Sequence, residues 1–166
     1  MELESTDTGP FRLLFVCTGN TCRSPMAEAI ARKRVEERGW AQVEVASAGV
    51  AAYDGGAPSG GAVRAAGQRG LDLTGHQATL LTPDIAAEAD LILTMSASHL
   101  VRVVELGAGE RGAVLTSFAE GEEATLDLTG VPDPIGGTDE EYLRTFDVIE
   151  DLVTRALHRI APVVEP

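Results

Sequence analysis

Positions 11 to 29 read FRLLFVCTGNTCRSPMAEA, and that order leaves the chain little freedom in what it can build there. The apolar run 11–17 suits a strand buried on both faces. Ser24-Pro25 opens a helix that reaches about Arg38, with Pro25 in its first turn, Glu28 near its positive end and Gly39 as its stop. A buried strand that turns at once into a helix is how a parallel α/β sheet begins.

The rest of the chain continues that alternation. Strands are expected at 43–47 (VEVAS), 89–95 (ADLILTM) and 113–116, and helices at about 60–69, 97–106 and 138–160. The last helix carries Leu143, Phe146, Ile149, Val153, Leu157 and Ile160 at helical spacing. The expected fold is α/β, with four parallel strands and helices between them. No repeat or linker divides the 166 residues, so 11–166 reads as a single domain and 1–10 as a disordered tail. Residues 120–137 form a polar, acidic loop, and GGAPSGG at 55–61 is a flexible loop that does not fit GxGxxG.

Charge narrows the function. A formal net charge of −13 argues against nucleic-acid or anionic-membrane partners. Any anion site needs a strong local source of positive potential. The acidic start MELESTDTGP lacks an apolar signal core and no stretch has the length of a membrane span, which points to the cytoplasm and reduced thiols. Two cysteines and three histidines cannot make a four-ligand zinc site with ordinary spacing, and HExxH is absent. Lys33 is the single lysine and no Gly-Lys-Ser/Thr occurs, which excludes a Walker-type loop.

In open parallel sheets ligands bind at the carboxyl ends of strands, where residues 17–24 lie. The helix that follows offers unpaired N–H groups and a favourable dipole to an anion. Gly19 and Asn20 tolerate the backbone angles that curl N–H groups inward. Arg23 adds a planar fork for two phosphate oxygens. Such a setting favours the thiolate of a cysteine, so Cys17 reads as a nucleophile aimed at a bound phosphate. A cysteine ending a buried strand is ordinarily a small core residue, and an arginine near a helix start is ordinarily a surface charge. The succession strand, Cys, Gly-Asn, Arg-Ser-Pro, helix is one that chance seldom assembles.

VCTGNTCRSPMAEA closely resembles the phosphate loop of the low-molecular-weight protein tyrosine phosphatases, a family that includes bacterial protein-arginine phosphatases. Ser47-Ala48-Gly49 resembles the segment after that family's second strand, and Asp133-Pro134 resembles its general-acid loop. The resemblance implies a four-stranded parallel sheet with helices on both faces in flavodoxin-like layering. It implies Cys17 as nucleophile, Arg23 as phosphate clamp, and Ser24 as a hydroxyl that hydrogen-bonds the thiolate. Thr18, Gly19, Asn20, Thr21 and Cys22 would line the phosphate site. The Asn20 side chain would be held by Ser47 and His76, although a histidine in the polar stretch TGHQAT is as readily a surface residue. Among Asp127, Asp133 and Asp139, all in or beside the loop before the last helix, VPDPIGG fixes the backbone around Asp133. The family match selects the same residue as general acid. Phosphorylated proteins would be the substrates of a monomeric enzyme that needs no metal or organic cofactor.

Which phosphoresidue is cleaved rests on departures from the tyrosine pattern. Tyrosine-selective members commonly carry isoleucine where this chain has Thr21, the arginine phosphatases threonine, and DPIGG is similar to the arginine form. Tyr53 falls where tyrosine phosphatases place an aromatic wall, and arginine phosphatases often prefer an aromatic in place of Ile135. The balance favours phosphoarginine over phosphotyrosine. Thioredoxin-linked arsenate reduction needs a further cysteine relay, and none exists beyond Cys22. A noncatalytic phosphoprotein-binding module would have no use for Cys17. Cys22 is also placed to trap an oxidised Cys17 as a reversible disulfide.

Overall fold

The computed structural model describes residues 9–121 and 130–165. Residues 1–8 of the expected tail 1–10, and Asp127 with the middle of the acidic loop, lie outside the described residues. The elements run β1 (Phe11–Cys17), α1 (Arg23–Glu37), β2 (Val43–Gly49), α2 (Gly60–Gln68), α3 (Pro83–Glu88), β3 (Leu91–Thr94) and α4 (Ala97–Glu105). A short 3₁₀ turn at Gly109–Arg111, β4 (Gly112–Val114), α5 (Leu115–Glu120) and α6 (Asp139–Val164) follow. The strands form one parallel sheet in the order β2-β1-β3-β4, so the strand that ends in Cys17 lies between two neighbours. The fold is the expected α/β sheet with helices on both faces.

Alternation along β1 divides the core. Phe11, Leu13, Phe15 and Cys17 face α1, α2, α5 and α6, joining Met26, Ile30, Phe146, Ile149, Val153 and Leu157. Leu14 and Val16 face the other way, against Leu81, Ala86, Ile92 and Val103 beneath α3 and α4. A strand buried on both sides is therefore apolar at nearly every position, with only Arg12 of β1 reaching solvent. Among the described residues no helix is long and apolar enough to cross a membrane.

Three expectations need correcting. The fourth strand stops at Val114; Leu115 opens α5, because the pairing with β3 covers three residues and Leu115 and Phe118 are drawn into the core. Helix α3 was not expected. Thr82 caps it by accepting from the Ile85 N–H, with Pro83 in the first turn, a start signal masked by the short apolar run that follows. Helix α6 runs past Ile160 through Pro162 to Val164, and Thr138 is its cap.

Candidate active site

The loop Thr18–Cys22 joins β1 to α1 at the carboxyl end of the sheet. Its turn is made at Asn20, whose φ of 56° is the single left-handed value among the described non-glycine residues. Gly19 does not share that conformation, so the expectation that both residues supply unusual angles holds for Asn20 alone. Asparagine is tolerated there because its side chain bonds locally. Beneath the loop lies Gly49. A Cβ at Gly49 would stand 2.5 Å from the Thr18 carbonyl oxygen and 2.8 Å from the Asn20 nitrogen. The Val50 and Ala51 N–H groups donate to the Cys17 and Thr18 carbonyls, both at 2.9 Å, fixing the loop to the end of β2.

The buried Asn20 side chain orders a chain of hydrogen bonds that ends at Cys17. The Thr79 N–H donates to Asn20 Oδ1 at 2.9 Å, which fixes the amide's orientation. Nδ2 then gives one hydrogen to Ser24 Oγ at 2.8 Å and the other to Ser47 Oγ at 2.9 Å. Ser47 donates onward to Glu28 Oε1 at 2.8 Å. Ser24 Oγ lies 2.8 Å from Cys17 Sγ and 3.5 Å from the Ala48 carbonyl. Its hydroxyl can serve Ala48 while sulfur carries a proton and turn to sulfur when it does not. His76 is present as well, but its Nε2 meets the Asn20 backbone carbonyl, at 2.8 Å, rather than the side chain. The Asn20 side chain it was expected to help hold is held by Thr79, Ser24 and Ser47.

Arg23 is the first residue of α1, and Cys22 at the helix cap makes no side-chain capping bond. The helix N-terminus is thus left to the loop. The buried Arg23 guanidinium donates to the Val131 carbonyl at 3.0 Å and lies 3.6 Å from Asp133 Oδ2. Val131 is anchored in turn by donating to the Met95 carbonyl at 2.7 Å, and Asp133 Oδ1 accepts from the Ile135 N–H at 3.1 Å. Asp133 is therefore brought to Arg23, while Asp139 pairs with Arg64 on the outside of α2.

The other expected residues divide into two groups. Cys22 is buried beside the loop, with Sγ donating to Ser59 Oγ at 3.1 Å and 3.6 Å from the Tyr142 hydroxyl. Thr21 turns its hydroxyl back along the loop to 3.7 Å from Cys22 Sγ. Tyr53 and Ile135 stand out in solvent, 87% and 66% exposed. Both cysteines are free thiols.

Sequence reasoning missed His99. It is buried on the first turn of α4, with Nε2 2.8 Å from Thr18 Oγ1 and Nδ1 3.0 Å from Ser96 Oγ. Burial, and then the charge of Arg23, push its pKa down to about 4 against a weaker opposing pull from Asp133. The available signal was its place just beyond ADLILTM, at a strand's carboxyl end.

A thiol in an anion-binding turn, with a guanidinium and a carboxyl beside it, is the equipment of a cysteine-dependent phosphatase. Residues 12–164 match the family profile described as low molecular weight phosphotyrosine protein phosphatase. The protein-arginine-phosphatase of Bacillus subtilis (strain 168) is 38% identical over 141 residues, covering 85% of this chain and 91% of that protein. The low molecular weight protein-tyrosine-phosphatase of Streptomyces coelicolor is 35% identical over 162 residues, covering 93% and 96%. A solved structure of a Cys-to-Ser mutant of the YwlE arginine phosphatase, with a phosphorylated active-site serine, superposes with a TM-score of 0.80 at 33% identity, covering 90% of this chain and 95% of that one. The chain belongs to the low molecular weight phosphotyrosine protein phosphatase family.

Two outcomes follow from this geometry. Gly49→Ala forces the loop off its seat and should cost about 1–3 kcal/mol in stability as well as turnover, measured by thermal melts and p-nitrophenyl phosphate hydrolysis. For His99, the folded protein binds fewer protons than the unfolded chain between about pH 6.5 and about pH 4. Its stabilising contribution is then complete above about 6.5 and falls as pH drops to about 4. The melting temperature of the wild type should fall more steeply across that window than that of His99→Gln; parallel slopes would mean that His99 does not titrate there.

Proposed function

We propose that the protein hydrolyses phosphorylated residues in proteins through a phosphocysteine intermediate, with phosphoarginine as the preferred substrate. The observation that carries the chemistry is Cys17 Sγ held 2.8 Å from the hydroxyl of Ser24, itself the acceptor of an Asn20 hydrogen. Cys17 attacks phosphorus in line, forming the S–P bond as the bond to the leaving group breaks. Arg23 and the loop N–H groups take the charge on the equatorial oxygens, and Asp133 gives its proton to the leaving group. Asp133 then removes a proton from the water that cleaves the S–P bond, releasing phosphate and restoring the thiolate under the Ser24 hydroxyl. The phosphorylated active-site serine in the YwlE mutant supports a covalent intermediate by analogy. Cys17→Ser should lose turnover while still binding phosphate, Asp133→Ala should slow turnover by about 10²–10⁴, and Arg23→Lys should fail because an ammonium cannot grip two oxygens. A Cys17→Ser protein with a tenth of the wild-type rate would exclude the covalent route.

The preference for phosphoarginine rests on Thr21 and on DPIGG at 133–137, and relatives of both named activities resemble the chain. Turned from Cys22 towards the substrate, the Thr21 hydroxyl would accompany the polar N–H groups of a phosphorylated guanidine, where isoleucine would crowd its branched head. A phenyl ring gains nothing from that hydroxyl. One such contact is worth about ten- to a few-hundredfold in kcat/KM at most. Thr21→Ile should lower kcat/KM for phosphoarginine and keep or raise it for phosphotyrosine. Equal loss on both substrates would make Thr21 a loop-shaping residue and leave phosphotyrosine hydrolysis the better reading.

Cys22 has a protective role in this reading. Peroxide oxidises Cys17 to the sulfenic acid, and the Cys22 thiol displaces water from it to form a disulfide that dithiothreitol reduces. Activity lost to peroxide should return in the wild type and return poorly in Cys22→Ser. Equal recovery would remove Cys22 from that role.

A further inference from the structure

The phosphate loop follows the strand at the middle of the sheet, and so has a neighbour on either side. On the β2 side the supports are several: Gly49 beneath, the Val50 and Ala51 N–H groups, Thr79 on the Asn20 amide and His76 on its carbonyl. On the β3 side the Met95 N–H completes the ladder at the Val16 carbonyl, one residue short of the loop. From there the loop itself is reached by His99, whose Nε2 meets the Thr18 hydroxyl at 2.8 Å. The same junction carries the acid loop, since the Met95 carbonyl accepts from Val131 and Gly130 packs too closely on it to bear a side chain.

We infer that His99 is a positioning residue that locks the first residue after the nucleophile against the β3–α4 junction, acting through the Thr18 hydroxyl. The ring is gripped at both nitrogens, by Thr18 and by Ser96, so its plane is fixed. A neutral ring has one N–H and one lone pair, which the two hydroxyls satisfy in either tautomer. Protonation would leave two donors there, and whichever hydroxyl had donated would have to turn and accept. Arg23 from α1 and Asp133 from the acid loop are the charges that face the ring, and Arg23 disfavours a second cation beside it. Thr18 is itself exposed, and burial does not hold its side chain in place. The hydrogen bond to His99 does.

This inference rests on the phosphatase reading, and its test separates the two. Turnover of p-nitrophenyl phosphate is measured for the wild type, Thr18→Val, His99→Leu, the double variant and His99→Gln, with circular dichroism checking the fold. Thr18→Val and His99→Leu should each lower kcat/KM by about ten- to a hundredfold, the range a displaced reacting geometry commands. The pair should be no worse than the poorer single variant by more than about twofold, because both remove one contact. His99→Gln, which keeps a neutral amide near Thr18, should recover to within about fivefold of the wild type. Wild-type kcat/KM in Thr18→Val, effects that multiply in the pair, or a His99→Gln as poor as His99→Leu would each overturn the inference. Where His99→Leu does not fold, Thr18→Val paired with His99→Gln replaces it, and losses that multiply there overturn the inference. A wild type without turnover would sink the phosphatase reading, and this inference with it.

Discussion

The site depends on one residue held in a conformation that most side chains avoid. Asn20 stands at φ 56°, and its amide spends both hydrogens and its oxygen on Ser24, Ser47 and Thr79. Left-handed backbone costs a non-glycine residue of order 1–3 kcal/mol, and it persists where the surroundings over-determine it. Three side-chain bonds, a histidine on the carbonyl and a glycine beneath do so. The consequence is polarity. With the amide's orientation fixed by a backbone donor, Ser24 receives a hydrogen from Asn20 and keeps its own to offer to sulfur. A glycine at position 20 would take the same backbone angle without ordering that sequence of donors.

The overall charge of −13 makes the local electrostatics more telling. Positive potential at the loop comes from Arg23 and from the start of α1, whose cap residue makes no capping bond of its own. Burial of Arg23 keeps its charge away from bulk water, so it acts on its neighbours with less screening. Its effect is visible at His99, where the guanidinium adds to burial in disfavouring the imidazolium. One cation thus supplies positive potential to the loop and adds to burial in disfavouring a charged ring beside it.

How much of this could be read from sequence follows from the range of the interactions. The strand, loop and helix of 11–37 were legible because local rules of periodicity, capping and glycine chemistry all agree there. Cys17, Arg23 and Ser24 were legible with them, being on one contiguous segment. Asp133 needed both the proline-bracketed turn and the family resemblance, because its partner Arg23 is more than a hundred residues away in the chain. His99 was marked only by its place just beyond ADLILTM at a strand's carboxyl end, since a histidine in SASHL is otherwise indistinguishable from a surface residue. Only the β1-β3 pairing brings it to Thr18. Gly49 is similar: its requirement is set by the carbonyl of Thr18 lying against it, and not by its own backbone angle. The missed helix α3 and the overlong β4 were local errors, where short apolar runs suit strand and helix alike.

The placement of Arg23 explains why acid loop and cradle need not be built separately. The guanidinium donates to the Val131 carbonyl and faces Asp133, while Val131 itself is tied to the end of β3 through Met95. The acid loop is thereby docked on the same cation that would clamp phosphate, and on the same strand end that leads to His99. A fork with five N–H donors can hold a carbonyl and still present donors to an oxyanion, which a lysine's compact ammonium does less well. Asp133 lies 3.6 Å from that fork, beyond a close hydrogen bond, and its other oxygen is occupied by the Ile135 N–H. The carboxyl is kept beside the guanidinium without being consumed by it, which is what the proposed exchange of a proton would require.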